Sequence, residues 1–287
     1  MKKLYVLYLL LVLIFNGCSS DAIEPITSGD ESSEEMNDDS DSNNDDTPNP
    51  DETPNPDETP ETSFITDNFE GTGPLMDFVI NNEAALPEVG RVDGRYRAEL
   101  TDNTDDITLH FNDDQGRLDA KLLSFPFEFI ARNIGIGSIG DSQIAPNPVN
   151  SLYIFSGVQI HVETLDSFNS AHVVVGHRGN THFTIEGKNT VDGNSSVNDI
   201  GANTAPNGKA DIRIVGSENQ TITVYWQTPN LTFETEDDNW TAYNETGSLP
   251  GTAPAFGANV YVGLITYAFG TNGVPFVGTC DAIQISD

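Results

Sequence analysis

Gln159-Ile160-His161 is the segment of this chain best suited to moving a proton. On an extended strand residues i and i+2 point to the same side, so the Gln159 amide and the His161 imidazole stand together. A hydrogen-bond donor beside a titratable ring is what abstraction of a weakly acidic proton requires. Two further segments carry matching chemistry. Arg95-Tyr96-Arg97-Ala98-Glu99-Leu100 alternates, with Arg95, Arg97 and Glu99 on one side and Tyr96, Ala98 and Leu100 on the other. Tyr261 to Tyr267 sets Tyr261, Gly263, Ile265 and Tyr267 opposite the core-like Val262 and Leu264. The expectation is that Arg97, Gln159, His161 and Tyr267, from three strands, line the concave face of one curved sheet, with Arg95 and Glu99 beside them.

Strands must position these residues, and the pattern is β throughout. Alternation runs through Asp106 to Phe111, Leu152 to Val162, His172 to Val175, Ala210 to Val215, Thr221 to Trp226 and Asn259 to Ala268. Gly, Asn, Asp and Pro clusters separate these segments, as at Asn112-Asp113-Asp114-Gln115-Gly116 and Val191-Asp192-Gly193-Asn194. Many short strands with turn chemistry between them, and no helical period, predict an all-β jelly roll or concanavalin-like sandwich. Cys280 to Ile285 is expected to be a last strand pairing near Asp67-Asn68-Phe69-Glu70. Ile212 and Ile214 should face inward with Arg213 opposed, and Ile222, Val224 and Trp226 inward with Tyr225 out. Tyr225 is the preferred sugar-stacking aromatic, Trp240 being assigned to the core. Arg178, ending a strand in Val175-Gly176-His177-Arg178-Gly179, is a candidate clamp for a sulfate or carboxylate through its planar guanidinium. Arg132-Asn133-Ile134-Gly135-Ile136-Gly137 reads as a similar Gly-rich segment, its glycines allowing either a close backbone approach to sugar or a loop hinge.

The ends divide the chain. Lys2 and Lys3, an apolar run from Leu4 to Phe15 and Asn16-Gly17-Cys18 make residues 1–17 a lipoprotein signal peptide, too short to span a membrane. Cleavage would leave Cys18 as the lipid anchor, on an extracytoplasmic, cell-surface or outer-membrane protein. Residues 18–63 hold 16 acidic residues, no Lys or Arg, and a literal repeat of Thr-Pro-Asn-Pro-Asp-Glu at 47–52 and 53–58. Such sequence is expected to be a disordered, extended stalk. With Cys18 lipidated, Cys280 has no disulfide partner and reads as a small buried apolar residue. The remaining domain, 64–287, has 29 acidic and 10 basic residues, which argues against nucleic acid. A polyanionic substrate then requires the few cations to be concentrated in one place, and Arg91, Arg95 and Arg97 fall within seven positions.

Taken in order, these motifs resemble those of the jelly-roll polysaccharide lyases. The alginate lyases of that fold carry Arg-Ser/Thr-Glu-Leu/Val-Arg, Gln-Ile/Val-His and Tyr-Phe-Lys-Ala-Gly-x-Tyr. Here the first reads Arg97-Ala98-Glu99-Leu100-Thr101, without the second Arg. The second is intact as Gln159-Ile160-His161, and the third keeps Tyr261 and Tyr267 but has no Lys. The departures favour another uronate polymer over alginate, with ulvan, the sulfated rhamnose–uronate polysaccharide of green algae, preferred. The acidic run after Cys18 is similar to the export signal of surface lipoproteins in Bacteroidetes-type bacteria. The resemblance implies β-elimination leaving unsaturated uronate ends. Arg97 and Gln159 would hold the carboxylate, His161 or Tyr267 would take the C5 proton, and Tyr267 would protonate the departing O4. It implies no required cofactor and no catalytic metal, although the fold class often holds a structural calcium. The expected partners are an anionic algal polysaccharide and, through Cys18, the outer membrane; the protein is expected to be monomeric.

Two other readings compete. A non-catalytic glycan-binding lipoprotein on the same fold needs the groove but no His161–Tyr267 contact. A glycoside hydrolase needs two carboxylates facing each other, for which Glu99 and Glu163 are the candidates.

Overall fold

The computed structural model describes residues 63–73, 75, 77–86, 88–100, 117–146, 153–179, 182–269 and 275–286. The expected signal peptide, Cys18, the stalk up to residue 62, Thr101 and the expected strand Asp106–Phe111 with His110 lie outside the described residues. Sixteen strands occur among them, beginning with β1 (Ile65–Asp67), β2 (Val79–Asn81), β3 (Glu88–Arg91), β4 (Tyr96–Leu100) and β5 (Arg117–Ser124). They continue with β6 (Phe127–Gly137), β7 (Tyr153–Val162), β8 (Ser170–Arg178), β9 (His182–Val191), β10 (Asn194–Asp199) and β11 (Lys209–Gly216). The last are β12 (Ile222–Gln227), β13 (Thr241–Ala242), β14 (Asn259–Phe269), β15 (Phe276–Cys280) and β16 (Ala282–Ser286).

The strands form two antiparallel sheets. Sheet A runs β13-β12-β11-β6-β15-β4-β3, with β16 also paired to β6 and β1 to β16; sheet B runs β10-β9-β8-β7-β14-β5-β2. This is the expected all-β sandwich of jelly-roll type. The closing strand returns to the start as expected, with Ile285 opposite Ile65 and Ile283 opposite Asp67. Alternation explains the packing between the sheets. Val158, Ile160, Val173, Val175, Val262 and Leu264 of sheet B face Ala98, Phe129, Ala131, Ile134, Ile212 and Ile214 of sheet A, and all are fully buried. Removing a side chain of this size from water contributes roughly 1.5–3 kcal/mol. Polar groups inside the layer are paired: the Tyr96 hydroxyl donates to Asp119 (3.3 Å), which Arg117 also holds (3.0 Å).

Arg132 to Gly137 is a correction to the sequence reading: it is the second half of β6, buried along its length, and not a loop. Gly135 is required by packing, since a Cβ there would lie 1.9 Å from the Gly208 carbonyl oxygen. Within β6 the pairing to β11 slips, so that Arg132 and Asn133 together face Asp211, a β-bulge. The bulge turns the fully buried Arg132 into a network of side chains. Its Nε donates to Gln284 (2.7 Å), Nη1 to Asp211 (3.2 Å), and Nη1 and Nη2 to Asp238 (2.6 and 2.9 Å). One side chain thus joins β6, β11, β16 and the β12–β13 connection.

Removing one partner from such a network strands charge in the interior. Arg132→Met is expected to cost about 3–5 kcal/mol, read as a lowered urea midpoint. A loss below about 1 kcal/mol, the range of exposed pairs, would show the network to be dispensable.

Candidate functional site

Register shows which of the expected residues meet. On sheet B, Tyr261 lies opposite His161, Gly263 opposite Gln159 and Tyr267 opposite Phe155. Gln159 is in turn opposite His172, and His172 opposite Lys188. Directly opposed residues share a face, so Gln159, His161, Tyr267, His172, Arg178, Glu186 and Lys188 all project from the outer face of sheet B, away from sheet A. The expectation of a shared face therefore holds for Gln159, His161 and Tyr267. It fails for Arg97, which lies on β4 of sheet A with Arg95 and Glu99.

Three further corrections follow. His161 and Tyr267 do not form a pair: Tyr267 is six positions along β14 from the residue opposite His161, about 20 Å at ~3.3 Å per residue. The His161 ring is occupied by its own loop, with Nδ1 2.8 Å from the Val162 carbonyl oxygen and Nε2 3.0 Å from that of Ser167. This anchors the β7–β8 connection. Tyr225 lies on the outer face of sheet A, its ring 5.4 Å from the Arg213 guanidinium, remote from sheet B. Glu163 falls just past the end of β7 and is exposed, so it forms no carboxylate pair with Glu99 across the two sheets.

The three arginines near position 95 are each neutralised. Arg91 pairs with Asp67 (2.7 Å), Arg95 with Asp281 (2.8 Å) and Arg97 with Glu99 (2.5 Å). Cys280 is a buried thiol on β15, its pKa pushed well up chiefly by burial. His182 pairs with Asp199 (2.9 Å), and His177 packs edge-on against Phe183. Among the described residues no group of three metal-ligating side chains occurs.

What the fold does assemble is a pocket of about 350 Å³ at the β9 side of sheet B, lined by Tyr153, Arg178, Glu186, Lys188, Val197 and Tyr267. Glu186 is its hub. The Tyr267 hydroxyl donates to Glu186 Oε1 (2.9 Å), and Arg178 Nη1 donates to Oε2. The Tyr267 ring packs against Phe155 (5.3 Å, 20°) and His172 (5.4 Å, 29°), and the Lys188 ammonium lies 5.8 Å from its centre. On the same face both ring nitrogens of His172 and both amide atoms of Gln159 are buried without a hydrogen-bond partner.

Burial sets the electrostatics. It lowers the Lys188 pKa to about 7, with Glu186 opposing. It raises the Glu186 carboxyl, against the Tyr267 hydrogen bond and the nearby Arg178 and Lys188. Tyr267 is pushed well above its ordinary range, by burial and then by Glu186, so it stays protonated and able to donate. His172 is held well below its ordinary value by burial and then by Lys188. An amine near neutrality, a protonated phenol and a guanidinium around one cavity can take a proton, return one and hold an anion.

The sequence reading missed Glu186 and Lys188. Thr184-Ile185-Glu186-Gly187-Lys188-Asn189 looks turn-like because of Gly187, whereas Gly187 is a buried strand residue. A Cβ there would meet Tyr243 and Leu249 at 2.6 Å. The period-two placement of Thr184, Glu186, Lys188 and Thr190 was the available signal.

No family model matches the chain, and no curated protein matches it. Solved structures resemble it in sheet architecture. A xylan β-1,4-xylosidase from Bacillus halodurans C-125 is similar at 12% identity and a TM-score of 0.44, over 83% of this chain and 41% of that one. A Bacillus licheniformis β-glucanase is similar at 12% identity and 0.43, over 79% and 99%. Lectin I of Ulex europaeus is similar at 7% and 0.43, over 78% and 97%. The chain thus spans under half of the xylosidase, and 26% of a bifunctional Bacteroides eggerthii protein.

The buried lysines give a stability test. Lys188 and Lys209 both have folded pKa values near 7, below the roughly 10.4 of an unfolded lysine. Between these values the unfolded chain binds more protons, so stability rises with pH from about 7 toward 10. The urea midpoint should be higher at pH 9 than at pH 7, with a smaller rise in Lys209→Met. A flat profile would mean these amines are solvated.

Proposed function

We propose that the domain binds a uronate-bearing polysaccharide at the outer-face pocket of sheet B and cleaves it by β-elimination. The observation that carries this reading is the Lys188 amine, brought near neutrality by burial beside Tyr267 and Arg178. Arg178 would hold the uronate carboxylate and offset the negative charge that develops on it as C5 loses its proton. Neutral Lys188 would accept that proton. The freed electron pair forms the C4–C5 double bond as the C4–O4 bond breaks, and Tyr267 donates its proton to O4, with Glu186 orienting the hydroxyl. The products are an unsaturated uronate and a new chain end. This keeps the class of reaction expected from the motifs and moves it from His161 to Lys188. Ulvan is the preferred polymer and alginate the alternative, on a surface lipoprotein anchored at Cys18.

A binding-only role is favoured by a different observation: Lys188 and Tyr267 are each less than one-twentieth exposed. One experiment separates the two. The full chain is incubated with ulvan, alginate or glycosaminoglycans, and the ultraviolet absorbance of unsaturated uronate is followed alongside gel retardation.

Absorbance should rise with one polymer. Tyr267→Phe and Lys188→Met should each lower the rate at least 100-fold, a loss typical of one proton-transfer group, while retardation persists. Arg97→Ala should leave the Michaelis constant unchanged. Retardation without absorbance would establish glycan binding alone, and an unimpaired Lys188→Met would remove that residue from the reaction.

A further inference from the structure

The outer face of sheet A carries a second cavity that the elimination chemistry does not use. It has a volume of about 530 Å³, and Phe64, Trp240, Ile130, Arg213, Glu128 and Asp238 line it. Ligand sites of small molecules span about 300–1,000 Å³. Its floor is the buried Ile130, and Arg213, directly opposite Ile130 on β11, projects to the same side.

Both the aromatic and the polar parts are held in place. The Trp240 indole N–H donates to Asp238 Oδ2 (3.2 Å), and its ring lies 5.4 Å from the buried Arg132 guanidinium. Asp238 is fixed in turn by two hydrogen bonds from Arg132. Arg213 grips Glu128 through two nitrogens, at 2.7 and 3.0 Å, while its guanidinium covers Tyr225. Rings and forks immobilised before a ligand arrives lose little entropy on binding.

Charge narrows the class of ligand. Each guanidinium at the cavity is matched by a carboxylate, Arg213 by Glu128 and Arg132 by Asp238 and Asp211. Thr235 completes the lining, which holds two carboxylates, Glu128 and Asp238. A polyanion would be repelled there. A ring with an apolar face and hydroxyl edges suits the site, since aromatic faces take its C–H groups and the Arg213–Glu128 pair offers donors and acceptors to adjacent hydroxyls. The geometry points to a second glycan site, built on Trp240 and Phe64, that takes neutral sugar residues. It lies on the opposite outer face from Lys188 and does not depend on the elimination reaction.

Tryptophan fluorescence of the full chain is titrated with cellohexaose, xylohexaose, laminarihexaose and mannohexaose, with hexagalacturonate as the anionic comparison. A saturable change with at least one neutral hexaose is expected. Affinity should fall at least tenfold in Trp240→Ala, followed by calorimetry, and in Phe64→Ala, and be kept in Lys188→Met. Silence with all four neutral probes at millimolar concentration overturns the site. So does binding unaffected by both substitutions, or a preference for hexagalacturonate.

Discussion

The buried carboxylate of Glu186 is the constraint around which the outer face of sheet B is built. A carboxylate taken out of water must be paired and hydrogen-bonded, or it neutralises. Glu186 meets this demand with the Tyr267 hydroxyl and Arg178, and with Lys188 two residues along the same strand face. Each partner is altered in return. Tyr267 is fixed against Phe155 and His172 and kept protonated, and Lys188 gives up much of its affinity for a proton to burial. The same desolvation that makes this arrangement costly to fold brings the pKa of the Lys188 amine down to about 7.

The two outer faces of this strongly acidic domain differ in how their cations are matched. On sheet A every cation near the motif region is matched at short range, as Arg91, Arg95 and Arg97 show, so that face has no net attraction for an anionic polymer. On sheet B, Arg178 and Lys188 face a single carboxylate at the pocket.

Much of the fold was legible in the chain because period-two alternation is a direct consequence of strand geometry. Arg95 to Leu100, Thr221 to Trp226 and Asn259 to Ala268 became β4, β12 and β14 with the expected inward residues. Part of β6 and the whole of β9 were hidden by glycines that serve close packing. In β6 the run through Gly135 and Gly137 imitates a loop, and in β9 Gly187 does the same. The candidate site was legible only in part, for a related reason. Alternation assigns residues to faces, which placed Gln159, His161 and Tyr267 correctly together. It says nothing of which sheet a strand joins or how far along it a residue sits. That separated Arg97 and Tyr225 from the rest, and Tyr267 from His161. Trp240, assigned to the core, is instead held at the surface by Arg132 and Asp238, partners 108 and two residues away in sequence.

The most direct test of the central claim is a crystal structure of the Tyr267→Phe variant with a tetrasaccharide of the polymer that the wild-type protein binds most tightly. A uronate ring is expected in the sheet B pocket, its carboxylate on Arg178 and its C5 facing the Lys188 amine. A uronate bound instead across Arg91, Arg95 and Arg97 on sheet A would contradict it.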